Sequence, residues 1–250
     1  MELHRHTINT LIIAFEALEN MVPAPIKEEF GGGYVYRYKE KSFQQAVIQK
    51  LARTVTGLKS ILVLHEHGLL QEQAALQRVL DELEEDIMFL TLPFLFDDMT
   101  ELHQKFLDAF YEEEFDKPES AIESTQKRPM ISRKKIRAYI TRPRGPECNQ
   151  QSSVKIHQTL SKTYSGYVHC ASPQVMELYF GSPSKFQLNS DKESPFYNDH
   201  KEDLSNNVYR AVYSFAYASC MLGADELFSN LLTYADKLAD VWNKPIYKGA

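Results

Sequence analysis

SFQQAVIQKLARTVTGLKSILVLHEHGLLQEQAALQRVLDELEEDIMFLTL, residues 42–92, reads as two long antiparallel helices joined at His67-Gly68-Leu69-Leu70. Ser42 and Gln45 have the spacing of a capping box, in which the hydroxyl accepts from the backbone N–H three residues on and the amide side chain reaches back. Phe43, Val47, Leu51, Val55, Leu58, Ile61 and Leu62 recur at intervals of three and four, forming an apolar stripe on a helix. Gly68 stands where a left-handed residue closes a helix. The return helix repeats the pattern with Leu76, Val79, Leu80, Leu83, Ile87 and Leu90, and Pro93 is expected to stop it. At ~1.5 Å per residue each helix would be roughly 30–35 Å long, the length scale of a helical bundle.

Working outward, residues 3–21 form an opening helix with Ile8, Leu11, Ile12, Phe15 and Leu18 on one face, ended by Pro23 and Pro25. Tyr34 to Tyr38 alternate and suggest a short strand or an extended loop after Gly31-Gly32-Gly33. Asp98-Met99-Thr100-Glu101 has the form of a second capping box, opening a helix with Leu102, Phe106, Leu107 and Phe110. A short amphipathic helix is expected around 131–140 and a longer one from about Ser153 to His169, with Ile156, Leu160, Tyr164 and Val168 inward. Val175 to Phe180 alternate, Gly181-Ser182-Pro183-Ser184 turns, and Lys185 to Leu188 return, which predicts a small β-hairpin near 175–188. Two closing helices span about Leu204–Leu222 and Asp225–Trp242, separated by Gly223. The expected fold is all-α: an irregular bundle of about seven to eight helices with one small hairpin. It is read as a single domain over 1–250, with any internal boundary in 115–129.

A 250-residue chain with 43% hydrophobic and 25% charged residues needs neither disulfides nor a metal to fold. Its three cysteines, Cys148, Cys170 and Cys220, are odd in number and none is paired at C-x-x-C spacing, which suits a reducing cytoplasm. No run approaches the ~18 apolar residues of a membrane span, so no membrane partner is expected. The net charge of −6 argues against coating by nucleic acid but permits a local basic patch.

That patch is present: between Lys127 and Arg144 there are eight Lys or Arg residues and no acid. Arg133, Lys134, Lys135, Arg137, Arg142 and Arg144 are the candidate nucleic-acid contacts, with Tyr139 placed to stack on a base. The alternative is that they neutralise the acidic run at 112–119 or the acidic face Asp81, Glu82, Glu84, Glu85 and Asp86, in this molecule or a neighbour. On that face Arg78, Glu82 and Glu85 form a candidate polar site, since spacings of three and four put side chains on one side of a helix. A buried structural ion pair satisfies the same spacing. The pairs His4/His6 and His65/His67 cannot chelate while helical, because residues two apart point about 200° from each other. No H-E-x-x-H or phosphate-loop motif occurs, and no metal or cofactor is expected.

LVLHEHGLLQEQAALQRVLDELEEDIMFL (62–90) together with LSKTYSGYVHCASPQVMELYFG (160–181) resembles an uncharacterised bacterial all-helical family, a domain of unknown function reminiscent of the HEPN-like proteins of toxin and phage-defence systems. HEPN ribonucleases carry an Arg, four to six residues, then a His on one helix. The resemblance implies a metal-independent ribonuclease in which His169 moves the proton of a ribose 2′-hydroxyl. Lys162 stands where that family has Arg, and supplies charge without the planar fork. The expected function is therefore a cytoplasmic, HEPN-like defence or toxin–antitoxin protein, dimeric, that binds or cleaves RNA. The competing expectation is a non-enzymatic helical scaffold or sensor acting through protein contacts.

Overall fold

The computed structural model describes residues 1–30, 32–113, 120, 122–125, 128–143, 150–188 and 192–244. The chain runs α1 (Glu2–Glu19), the strands β1 (Ile26–Phe30) and β2 (Gly33–Arg37), then α2 (Phe43–His67), α3 (Leu70–Phe96) and α4 (Glu101–Tyr111). There follow α5 (Arg133–Ile140), α6 (Gln150–Val168), the single turn α7 (Ser172–Val175) and a 3-10 turn at Met176–Leu178. The strands β3 (Tyr179–Phe180) and β4 (Lys185–Phe186) lead into α8 (Tyr197–Met221) and α9 (Asp225–Trp242). This is the expected all-α bundle with a small β-hairpin. Among the described residues it has nine α-helices, one more than expected, the extra one being α7. There the alternation from Val175 suggested strand. Pro173, in the first turn, instead suits a helix start, and only Tyr179 and Phe180 go on to pair, with Phe186 and Lys185.

The α2–α3 hairpin forms as its capping residues dictate. Gln45 N–H donates to Ser42 Oγ (3.2 Å) and Ser42 N–H to Gln45 Oε1 (3.1 Å). Gly68 sits at φ 70°, while the N–H groups of Gly68 and Leu69 close onto the carbonyls of His65 and Leu64 at 3.0 and 2.8 Å. That is a Schellman closure, which L side chains resist. In mid-helix, Gly57 lets α2 and α3 approach: a Cβ there would lie 2.6 Å from Leu80 Cδ2. Pro93 does not end α3, which continues to Phe96. The proline removes one N–H near the C-terminus, but Leu90, Leu92 and Pro93 are all buried, so packing holds the last turn. The cap of α4 also differs from expectation. Thr100 is the N-cap and His103 the residue that reaches back, its Nδ1 accepting from Thr100 N–H at 3.0 Å.

α3 is the hub, with α2, α8, α6 and α5 all packed on it, while α1 crosses α2 and α8, and α9 pairs with α8. The core is built from Leu11 and Leu18 of α1, Leu51, Leu58 and Ile61 of α2, Ile87, Phe89 and Leu90 of α3, Val212 and Phe215 of α8, and Leu231 and Leu238 of α9. Val79 and Val168, expected inward, are exposed. α8 starts seven residues earlier than expected, because His200 turns inward within the polar run that disguised its first turn. The stretch predicted at Tyr34–Tyr38 supplies most of the return strand, Gly33–Arg37, of an antiparallel hairpin whose register runs from Ile26↔Arg37 to Phe30↔Gly33. Much of the suspected boundary at 115–129 lies outside the described residues. Among the described residues no helix is long and apolar enough to cross a membrane.

Candidate functional site

α3 carries five carboxylates in the six positions from Asp81 to Asp86. Taking such groups out of water costs several kcal/mol each unless they are paired and hydrogen-bonded. Asp81 and Glu85 are nevertheless fully buried and Asp86 nearly so. Each surrounding helix brings a cation to them. Lys50 of α2 donates to Asp86 at 2.8 Å, and Arg133 of α5 takes the other oxygen of that carboxylate at 2.6 Å. Arg137 Nε of α5 donates to Glu85 at 2.6 Å, with His157 Nδ1 of α6 at 3.3 Å from the same oxygen. Arg210 of α8 donates to Asp81 at 2.8 Å and also pairs with Glu84. Arg78 reaches Glu82 at 2.5 Å and Asp81 at 3.5 Å.

Five carboxylates thus meet five permanent cations in one lattice along α3. Burial pushes against ionisation of Glu85, but the bonds from His157 and Arg137 outweigh it and hold the carboxyl below its ordinary range. At Glu84 burial wins over Arg210 and raises the pKa. Arg210 is pulled the other way: burial opposes its charge, but Glu84 and Asp81 fix the guanidinium as a cation.

The sequence-predicted residues divide between this lattice and the surface. Arg78, Glu82 and Glu85 do belong to one polar cluster, but Glu85 is served by Arg137 and His157, and Arg133 links it to Glu82 at 3.7 and 3.5 Å. Of the basic stretch, Arg133 and Arg137 face inward onto α3, while Lys134, Lys135 and Arg142 are exposed. Arg144 lies outside the described residues. Tyr139 is not available for base stacking: it is 2% exposed, its hydroxyl bonds Asp98, and its face carries the Arg142 guanidinium at 4.9 Å.

Lys162 and His169 are both exposed. Lys155 and Lys162 stand seven residues apart on one side of α6, about 10 Å along its axis, and His169, seven residues further on, is the first residue past its end. His169 N–H closes the helix onto Ser165 O at 3.0 Å. Tyr167 turns to the opposite environment, where its hydroxyl donates to Glu177 at 2.9 Å and its ring meets His200 edge-on. Between residues 124 and 176 there is one acid, Glu147, against ten Lys and Arg. The outward cations of α5 and α6 therefore lie in an acid-poor segment, and the shared carboxylate of Glu85 ties the two helices to the same side of α3.

Sequence reading does not single out Lys50, His157 or Arg210. The signal existed for two of them: Lys50 interrupts the stripe Val47–Leu51, and Arg210 stands alone in Val208-Tyr209-Arg210-Ala211-Val212. A lone charge on an apolar face announces a buried partner. Among the described residues no group of three His, Cys, Asp or Glu side chains could hold a metal ion. No protein-family model matches the chain, and neither the curated proteins nor the solved structures contain a significant match.

Proposed function

We propose that this chain is an RNA-binding helical protein that engages the phosphate backbone with the outward faces of α5 and α6, in keeping with its HEPN-like resemblance. The observation that carries the reading is the sorting of charge. The acids of α3 take Arg133, Arg137, Lys50 and Arg210 into the interior, whereas Lys134, Lys135, Arg142, Lys155 and Lys162 remain exposed. Exposed cations with no carboxylate partner among the described residues attract a polyanion and release its counterions, and this binding carries no demand for a particular base. His169, seven residues beyond Lys162 and just past the end of α6, is the residue proposed to exchange a proton with bound RNA.

The test is a titration of labelled single-stranded RNA against wild type and Lys134→Glu/Lys135→Glu/Arg142→Glu at two salt concentrations, with the RNA checked for cleavage. Salt-sensitive binding lost in the variant supports the reading, and cleavage lost in His169→Ala would make the protein a ribonuclease. Absence of binding at low salt refutes it. A second reading, in which the chain works through protein contacts, draws on Ile13. This residue is 68% exposed on α1 beside Leu227 and Tyr234 of α9. If the self-association it implies exists, Ile13→Asp should convert a dimer to a monomer in light scattering.

A further inference from the structure

Between α3, α6 and α8 lies a cavity of about 100 Å³ that neither reading uses. Its lining includes Glu84 and Met88 of α3, His157 of α6, and Arg210, Tyr213 and Tyr217 of α8. His157 is backed by a carboxylate: its Nδ1 lies 3.3 Å from Glu85, a fully buried side chain that Arg137 holds at 2.6 Å. A neutral imidazole keeps one ring nitrogen as a hydrogen-bond acceptor.

Nη2 of Arg210 is shared by Asp81 and Glu84, so the charge of the cation in the wall is already matched by two carboxylates. What the cavity still offers is electron-rich: the His157 imidazole, the Glu84 carboxylate and the ring systems of Tyr213 and Tyr217. An anion entering here would meet Glu84 at contact and would have to displace it from Arg210. A small cation with N–H donors would meet an acceptor, a carboxylate and aromatic rings, the surroundings that stabilise such a group. The volume admits only a few heavy atoms, since a cavity of about 150 Å³ holds one benzene.

We propose that this cavity is a binding site for a small organic monocation of the ammonium or guanidinium class, received by Glu84 and His157 against Tyr213 and Tyr217. The site is separate from the outward faces of α5 and α6 and stands or falls independently of RNA binding.

Met88 provides the reporter. In protein labelled with ¹³C at the methionine methyls, methylguanidinium chloride is titrated against the full chain and followed in a methyl correlation spectrum, with sodium acetate as the size-matched anion. The expected result is a saturable shift of the Met88 methyl with methylguanidinium and none with acetate, the shift being lost in Glu84→Gln. A saturable shift with acetate instead, or no shift with either up to tens of millimolar, overturns the proposal. The wild-type titration decides this without reliance on the folding of the variant. His157→Gln gives a second arm, in which the apparent affinity for methylguanidinium should fall at least several-fold.

Discussion

Arg210→Met removes the cation shared by Asp81 and Glu84, which leaves Asp81 only its 3.5 Å contact with Arg78 and Glu84 with no ion-pair partner among the described residues. Breaking a buried pair on one side costs about 3–5 kcal/mol, so urea denaturation should show a loss of that order with an unchanged m-value. Lys134→Met, on the outward side of α5, should change stability by less than about 0.5 kcal/mol. Equal effects at the two positions would contradict the division of charge described above. A second residue-scale expectation concerns acid. His4 is buried, bonds Ser205 at 2.8 Å and stacks on Trp242, and burial lowers its pKa from 6.5 to about 4. The unfolded chain therefore binds a proton that the folded chain refuses between those two values, so stability present above pH 6.5 is lost as pH falls towards 4. The contribution is on the order of 3 kcal/mol, and burial of His65 acts in the same direction. In His4→Gln the fall in stability between pH 6.5 and 4 should be shallower than in wild type; parallel curves would show that His4 is not held neutral.

At the scale of elements, the helix ends make testable statements about backbone. Cys170 occupies the left-handed position that closes α6, at φ 51°, with Ala171 N–H bonded to Gly166 O at 2.9 Å. An L side chain there is strained by about 1–2 kcal/mol, partly offset in glycine by chain entropy. Cys170→Gly should therefore raise stability by about 0.5–1 kcal/mol in chemical denaturation. Gly57→Ala should do the opposite. Helix propensity favours alanine by about 1 kcal/mol, but overpacking against buried Leu80 costs about 1–3 kcal/mol, giving a net loss of roughly 1 kcal/mol. The elements with local signals were legible in sequence: the Ser42 box, Gly68 and the apolar stripes set the α2–α3 hairpin almost to the residue. Errors came where a distant contact decides. Pro93 looks like a stop until its buried neighbours are known, and His103 displaces Glu101 as the capping partner because its ring also stacks on Phe89. The polar cluster was legible as a set of spacings on α3, but its partners Lys50, His157 and Arg210 come from three other helices. No spacing along one helix encodes which of them meet.

Over the whole molecule the charge is divided in a way the net value of −6 conceals. Residues 124–176 carry ten cations and one acid, while the remaining chain carries 33 acids against 18 cations. The acids of α3 take two of those ten cations, Arg133 and Arg137, and hold α5 in place, while Lys134, Lys135, Arg142, Lys155 and Lys162 face solvent. Under the proposed function the two groups do different work: the inner arginines maintain the fold, and the outer lysines would bind RNA phosphate. The salt dependence of single-stranded RNA affinity tests it most directly. It would be measured for wild type, for Lys134→Gln/Lys135→Gln/Lys162→Gln, and for Arg133→Met under conditions where that variant is fully folded. Each phosphate contact adds about 0.7 to the slope of log affinity against log salt. Loss of three outward lysines should therefore lower the slope by about 2, and loss of Arg133 should leave it unchanged. An unchanged slope in the lysine variant, or a reduced one in Arg133→Met alone, would contradict the account.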